Sequence, residues 1–208
     1  MVWREQDMSG LMSAIVLKAF QLFLVLDPIG NTGIIATLIS SFAKPRQRAI
    51  LRRELAFALI ILVIMLFVGS YLLTALGISQ ASVTITGGII FFLFALSLLF
   101  PGSSVVTIKN LEEEPYFVPI ATPLIVGPSS TATVILFSHD PTMTWVSSLA
   151  AVLLAWIATA IIVLLGPFLL AKVGKVGMMV AERLIGMMCA LIAVKMMLKG
   201  FQLFLATL

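Results

Sequence analysis

From Leu55 to Leu76 the chain carries no charged side chain. A run of about 20 apolar residues is what a helix needs to cross the hydrocarbon of a bilayer. In lipid every backbone N–H and C=O must be satisfied within the segment, so such a run is helical. Comparable runs cover Leu11 to Phe42, Val83 to Phe100, Tyr116 to Ser138, Trp145 to Ala171 and Leu184 to Leu205. Only 11% of the residues are charged and mean hydropathy is +1.18, against roughly 25% charged in soluble domains. The expectation is an all-α integral membrane protein, one membrane domain over 1–208 with six transmembrane helices.

Two of the six runs are interrupted. In the first, Leu26-Asp27-Pro28-Ile29-Gly30-Asn31-Thr32 places a carboxylate, a proline, a glycine and an amide inside apolar sequence. Proline lacks the N–H and clashes with the preceding turn, so the sequence predicts a break from Asp27 to Asn31. The fourth run holds Pro119, Pro123 and Pro128 and is discontinuous for the same reason. Broken helices survive at membrane depth only where protein or a water-filled cavity shields the freed groups. An ionisable residue there is a candidate functional residue.

Lys44-Pro45-Arg46-Gln47-Arg48 reads as a basic turn, reinforced by Arg52 and Arg53. With Lys109, Lys172, Lys175 and Arg183 it puts nine basic residues on one side, against Arg4 and Lys199 on the other. Basic residues favour the cytoplasm, so both termini are expected outside, in the periplasm. The net charge of +4 comes from residues flanking spans, which does not suggest nucleic acid. Met1 to Leu26 has the look of a signal peptide, but Lys18 interrupts its apolar part and no cleavage site follows, so it is read as mature protein. One cysteine, Cys189, excludes a disulfide framework and a cysteine-based metal site.

The two halves match each other in chain order. Val68-Gly69-Ser70-Tyr71-Leu72-Leu73 aligns with Leu165-Gly166-Pro167-Phe168-Leu169-Leu170 at a shift of 97, Gly88 and Ala95 with Gly186 and Ala193 at 98, and Pro28 with Pro128 at 100. A repeat of three spans is inserted upside down relative to the first, giving two inverted three-helix repeats, about 11–100 and about 116–206, with discontinuous first and fourth helices. Matched interruptions in inverted repeats point to a transporter site at the bilayer midplane. Half-helix N-termini favour a carboxylate and freed carbonyls favour an ammonium or a cation, and a zwitterionic amino acid needs both.

Leu26-Asp27-Pro28-Ile29-Gly30-Asn31, Arg52-Arg53-Glu54-Leu55, Ile85-Thr86-Gly87-Gly88-Ile89, Pro123-Leu124-Ile125-Val126-Gly127-Pro128 and Glu182-Arg183-Leu184-Ile185-Gly186 together resemble the MarC/SnatA family of six-span inner-membrane proteins of prokaryotes. The resemblance covers nearly the whole chain. It implies an inverted-repeat fold and transport of small neutral amino acids such as glycine and alanine. One departure is Ser129-Ser130 after Gly127-Pro128, where many members have another small residue; this bears on substrate size.

The candidate substrate-binding residues are Asp27, Pro28, Gly30, Asn31, Thr32, Gly127, Pro128, Ser129, Ser130 and Thr131. Asp27 is read first as the cap of the second half-helix, and only second as a ligand for an ammonium or a proton. The hydroxyl residues either bond back to helical carbonyls or face a solute. Gly87, Gly88 and Gly186 are read as close helix packing near the site. Arg52, Arg53 and Glu54 are expected to be an orientation signal and a surface ion pair, with Glu54 as a gate the sharper alternative. Lys18 and Lys195 are expected to snorkel or to face a cavity. Trp145 and Trp156 read as interface or packing residues, and His139 as a loop residue. The expected activity is secondary transport by alternating access, coupled to H⁺ or Na⁺, with no cofactor and no metal. The alternatives are an exporter of other small solutes or drugs and a channel-like permease. An intramembrane enzyme is not expected, since Asp27 has no evident carboxylate partner and His139 is poorly placed to activate a serine. The partners expected are lipid, the amino acid substrate and a second copy of the chain.

Overall fold

The computed structural model describes residues 2–100, 116, 120–138, 140 and 143–206. Lys109, Glu112 to Glu114, Pro119 and His139 lie outside the described residues. The regular elements described are all helical: α1 Val2–Leu26, α2 Pro28–Leu38, α3 Lys44–Ala75, α4 Gln80–Leu99, a π-helical turn Ile120–Ile125, α5 Pro128–Ser138 and α6 Trp145–Leu205. Among the described residues, four helical stretches are long and apolar enough to cross a membrane, namely Gly10–Ala36, Gln80–Leu99, Trp145–Gly166 and Val176–Leu205. This is the build of an integral membrane protein.

Three boundaries differ from those the sequence predicts. The first break is confined to Asp27, because Pro28 opens α2 where its missing N–H costs nothing, so Gly30 and Asn31 are helical. Lys44 to Arg48 forms the first turns of α3 instead of a basic turn. Pro45 is tolerated in a first turn, and Gln and Arg are good helix formers. The expected connection between the last two spans is helical as well. Helix α6 is interrupted at Gly174, whose φ of 75° is one that glycine adopts without penalty.

Both halves run in the same order, a broken helix followed by two long helical segments, and matched residues of the halves meet. Ala81, Gly88 and Ala95 of α4 face Gly200, Ala193 and Gly186 of α6. A Cβ on Gly88 would stand 3.1 Å from Ala193 O, one on Gly186 3.3 Å from Ala95 O, and one on Gly200 3.2 Å from Ala81 O. As numbers rise on α4 they fall on α6, so the two helices are antiparallel. Their seven-residue small stripes let the backbones approach closely, which in lipid replaces the hydrophobic effect as the source of helix association. The matched pair Gly69 and Gly166 make a second reciprocal set of contacts. A Cβ on Gly69 of α3 would strike Ile135 of α5, and one on Gly166 of α6 would come within 2.6 Å of Thr32 Cγ2 on α2. Each half therefore packs a long segment against the other half's post-break helix.

The larger core cluster, with Leu22, Leu26, Ile35, Leu62, Leu66, Val134, Phe137 and Val152, surrounds the meeting point of the two breaks. A smaller one joins Leu24 and Val25 to Phe91, Ala95, Cys189 and Ala193 along the α4–α6 seam.

Candidate functional site

At the first break the polar groups turn inward on one another. Asp27 adopts φ 42°, a left-handed conformation that Asp and Asn tolerate better than other side chains with a Cβ. Its Oδ1 accepts the N–H of Gly30 at 3.1 Å, and its carbonyl accepts the N–H of Asn31 at 3.0 Å. The Asp27 side chain thus caps α2 through the N–H three residues ahead, as N-cap residues do, though from a left-handed backbone and not the extended one usual at that position. Gly30 makes this possible, since a Cβ there would overlap the Asp27 carboxylate. Thr32 donates its hydroxyl to Pro28 O at 2.6 Å. Asp27 is only 3% exposed.

The second break is built differently. Thr122 leaves helical geometry at φ −138°, ψ 133°, and Val126 N–H closes the π turn on Ala121 O at 2.9 Å. Thr122 donates its hydroxyl to Val126 O at 2.8 Å. Pro128 opens α5, and the Gly127 carbonyl ahead of it accepts the Thr131 N–H at 3.0 Å. It also accepts the hydroxyls of Ser130 at 2.9 Å and Thr131 at 3.0 Å. Ser129 and Ser130 are buried.

Asn31 joins the two. Its side-chain amide donates to Leu26 O at 3.0 Å and to Leu124 O at 2.7 Å. One amide therefore serves the last carbonyl of α1, which has no intrahelical donor, and a carbonyl of the second break. Nothing in the spacing of a sequence shows that contact, because Asn31 and Leu124 lie 93 residues apart.

A cavity of about 580 Å³ opens beside the second break. It is lined chiefly by apolar side chains, with Gly87, Thr122, Pro123, Gly127, Pro128 and Thr131 on its walls. The structure therefore brings Gly87, Gly127, Pro128 and Thr131 to a cavity, while Asp27, Pro28, Gly30, Asn31, Thr32, Ser129 and Ser130 are not part of its wall. Gly88 and Gly186 stand in the α4–α6 seam.

Three further groups make contacts that differ from, or are more specific than, those expected from sequence. Glu54 is fully buried where a surface ion pair is expected. Its Oε2 accepts the Ala121 N–H at 3.3 Å and its Oε1 pairs with Arg53 at 3.1 Å. The Arg53 guanidinium lies 4.3 Å from the centre of the Tyr116 ring. The buried position arises because α3 begins eleven residues before the apolar run, so Glu54 is already inside the bundle. Lys18 pairs with Asp140 at 2.8 Å across the Phe137 ring instead of snorkelling. Trp156 donates its indole N–H to Leu55 O at 2.9 Å, tying α6 to α3. Among the described residues no group of acidic, His and Cys side chains is placed to hold a metal.

A helical bundle with two discontinuous helices meeting beside a cavity is the build of a polytopic membrane protein. The model of the MarC family integral membrane proteins matches residues 12–205, and the chain belongs to that family. It is 37% identical over 191 residues to a UPF0056 membrane protein of Buchnera aphidicola subsp. Schizaphis graminum, covering 92% of this chain and 97% of that one. It is 36% identical over 196 residues to the UPF0056 inner membrane protein YhgN of Escherichia coli K12, covering 93% and 99%. A UPF0056 membrane protein of Chlamydia muridarum is 28% identical over 180 residues, covering 86% and 88%. No solved structure matches the chain.

Proposed function

We propose that this protein is a secondary transporter of small neutral amino acids of the glycine and alanine kind, working by alternating access as two inverted repeats of three spans each. The observation that carries this reading is the Asn31 amide, which holds the two breaks together next to the cavity. A carrier needs one site that two halves of the protein share and expose in turn. The reciprocal packing of Gly88 with Ala193 and Gly186 with Ala95 supports an internal two-fold relation between the halves. On this reading the cavity at Gly127, Pro128 and Thr131 is the open half of the site. The protein sits in the inner membrane with Lys44 to Arg53 in the cytoplasm and both termini in the periplasm, is driven by a cation gradient, and is not an enzyme.

A second reading is favoured by the cavity itself. About 580 Å³ falls within the roughly 300–1,000 Å³ typical of pockets for drug-sized ligands, and its walls are mainly apolar. An exporter of larger apolar solutes would use such a space.

The two readings separate in one screen. Purified protein is heated with each amino acid and with a panel of apolar amphiphiles, since a ligand that binds the folded state raises its apparent stability. Labelled alanine is then followed in proteoliposomes. Stabilisation by alanine or glycine together with trans-stimulated exchange is expected. Stabilisation by the amphiphiles alone would replace the amino acid reading with the exporter, and uptake without trans-stimulation would make the protein a channel.

A further inference from the structure

We propose that the chain forms a second solute cavity, the counterpart of the open one, beside the first break and between α2 and the Val176–Leu205 part of α6. It opens to the opposite face of the membrane when the present cavity closes. The inference rests on the transporter reading above and gives that site its other state.

The open cavity has a direction. Helix α3 is continuous from Lys44 to Ala75, so at 1.5 Å per residue Leu73 stands about 40 Å from the basic end. Leu73, Ile78 and Ser82 line the cavity together with Pro123, Gly127 and Thr131 of the second break. The space therefore runs from that break toward the end away from Lys44 to Arg53, the periplasmic side in the orientation proposed above.

Matched positions of the two halves are not equally exposed. Gly127, Ala132 and Ile135 are half-buried and Pro128 is exposed. At the shift of 100 their mates are Asp27, Thr32, Ile35 and Pro28. All four are buried, Asp27 to 3% exposure and Thr32 and Ile35 to 2%. One half is open where the other is shut, and inverted repeats can exchange such arrangements around a shared site. Ser82 and Thr86 of the open wall have Val180 and Leu184 of α6 as mates at the shift of 98. The exchange therefore exposes Pro28, Thr32 and Ile35 opposite Val180 and Leu184. Helix α4 leads back from the turn at Gly77 to Leu99, which meets Gly186, so the new mouth lies at the basic end. Asn31, the mate of Thr131, now gives its amide to Leu124 O at 2.7 Å. Parting of the halves there frees an N–H for the carboxylate of the solute.

The test labels introduced cysteines with a membrane-impermeant maleimide, in a Cys189→Ala background and in vesicles of either orientation. The pairs are Ile35→Cys with Ile135→Cys and Thr32→Cys with Ala132→Cys, so that one pair serves if the other does not fold. Positions 135 and 132 are expected to label from the periplasmic face, and positions 35 and 32 from the cytoplasmic face. In the double variant of either pair, a bulky maleimide placed first at 135 or 132 wedges the open cavity. It is expected to cut later labelling at 35 or 32 at least about threefold. Labelling of both members of a pair from one face overturns the proposal, as does labelling at 35 or 32 that the wedge leaves unchanged. No labelling at 35 and 32 also overturns it, and leaves the transporter reading intact where wild-type protein exchanges alanine. The expected labelling without wild-type exchange removes the alanine transporter and leaves the paired cavities standing.

Discussion

The two breaks begin with the same chemistry and end differently. Each places a proline at the start of a post-break helix, and each frees carbonyls in an apolar setting. At the first, Asp27, Asn31 and Thr32 spend their polar groups on Gly30 N–H, on Leu26 O and Leu124 O, and on Pro28 O. The second break has no carboxylate or side-chain amide of its own, and hydroxyls of Thr122, Ser130 and Thr131 serve Val126 O and Gly127 O. The cavity of about 580 Å³ lies against the second break. The lesson concerns rigidity. A side-chain amide that spans two breaks and a carboxylate cap hold the first in one geometry. At the second, hydroxyls bond within their own turn, and its ties to the rest of the bundle come from outside, through Asn31 on Leu124 O and Glu54 on the Ala121 N–H.

The most damaging change to that contrast is Asn31→Ala. It leaves two part-buried carbonyls without their side-chain donor, and unmet buried groups cost about 1–3 kcal/mol each. A fall in thermal stability of about 2–3 kcal/mol and loss of alanine exchange are expected in the detergent-purified and reconstituted protein. An unchanged melting temperature would show that the bridge between the breaks carries no energy.

Thr131→Val probes the cavity side. The shape is kept, and the Gly127 carbonyl retains the Thr131 N–H and the Ser130 hydroxyl. The expected stability loss is therefore small, about 0.5–1 kcal/mol, while ligand-induced stabilisation by alanine disappears. A full thermal shift with alanine would place the substrate away from Thr131.

Asp27→Asn tests the cap with the least expected effect. Asparagine caps about as well as aspartate, so stability should change by a few tenths of a kcal/mol. Exchange and gradient-driven accumulation should persist. Loss of accumulation with exchange retained would give the Asp27 carboxylate a part in coupling beyond its cap.

Much of this was legible in the residues. The apolar runs and their scarcity of charge dictate a helical membrane protein, because lipid offers backbone groups no other partner. Pro28 and Pro128 marked both breaks, and Asp27 ahead of Pro28 marked a cap, since those effects are local to a few residues. The matches of Gly88 with Gly186 and Ala95 with Ala193 announced a repeat. Sequence did not show that those matched residues touch across the α4–α6 seam, nor that α3 starts at Lys44 and buries Glu54. It also did not show that Gly174 alone turns α6.

What the sequence determined by itself is therefore what acts within a turn or two of helix: span, break, cap and the spacing of small residues. Tertiary structure decided which residues line the cavity, where the Asn31 amide ends, and what Glu54 holds. The physical reason is reach. Propensity and capping act between neighbours along the chain, whereas Asn31 with Leu124 and Glu54 with Ala121 are brought together only when the two halves close on each other.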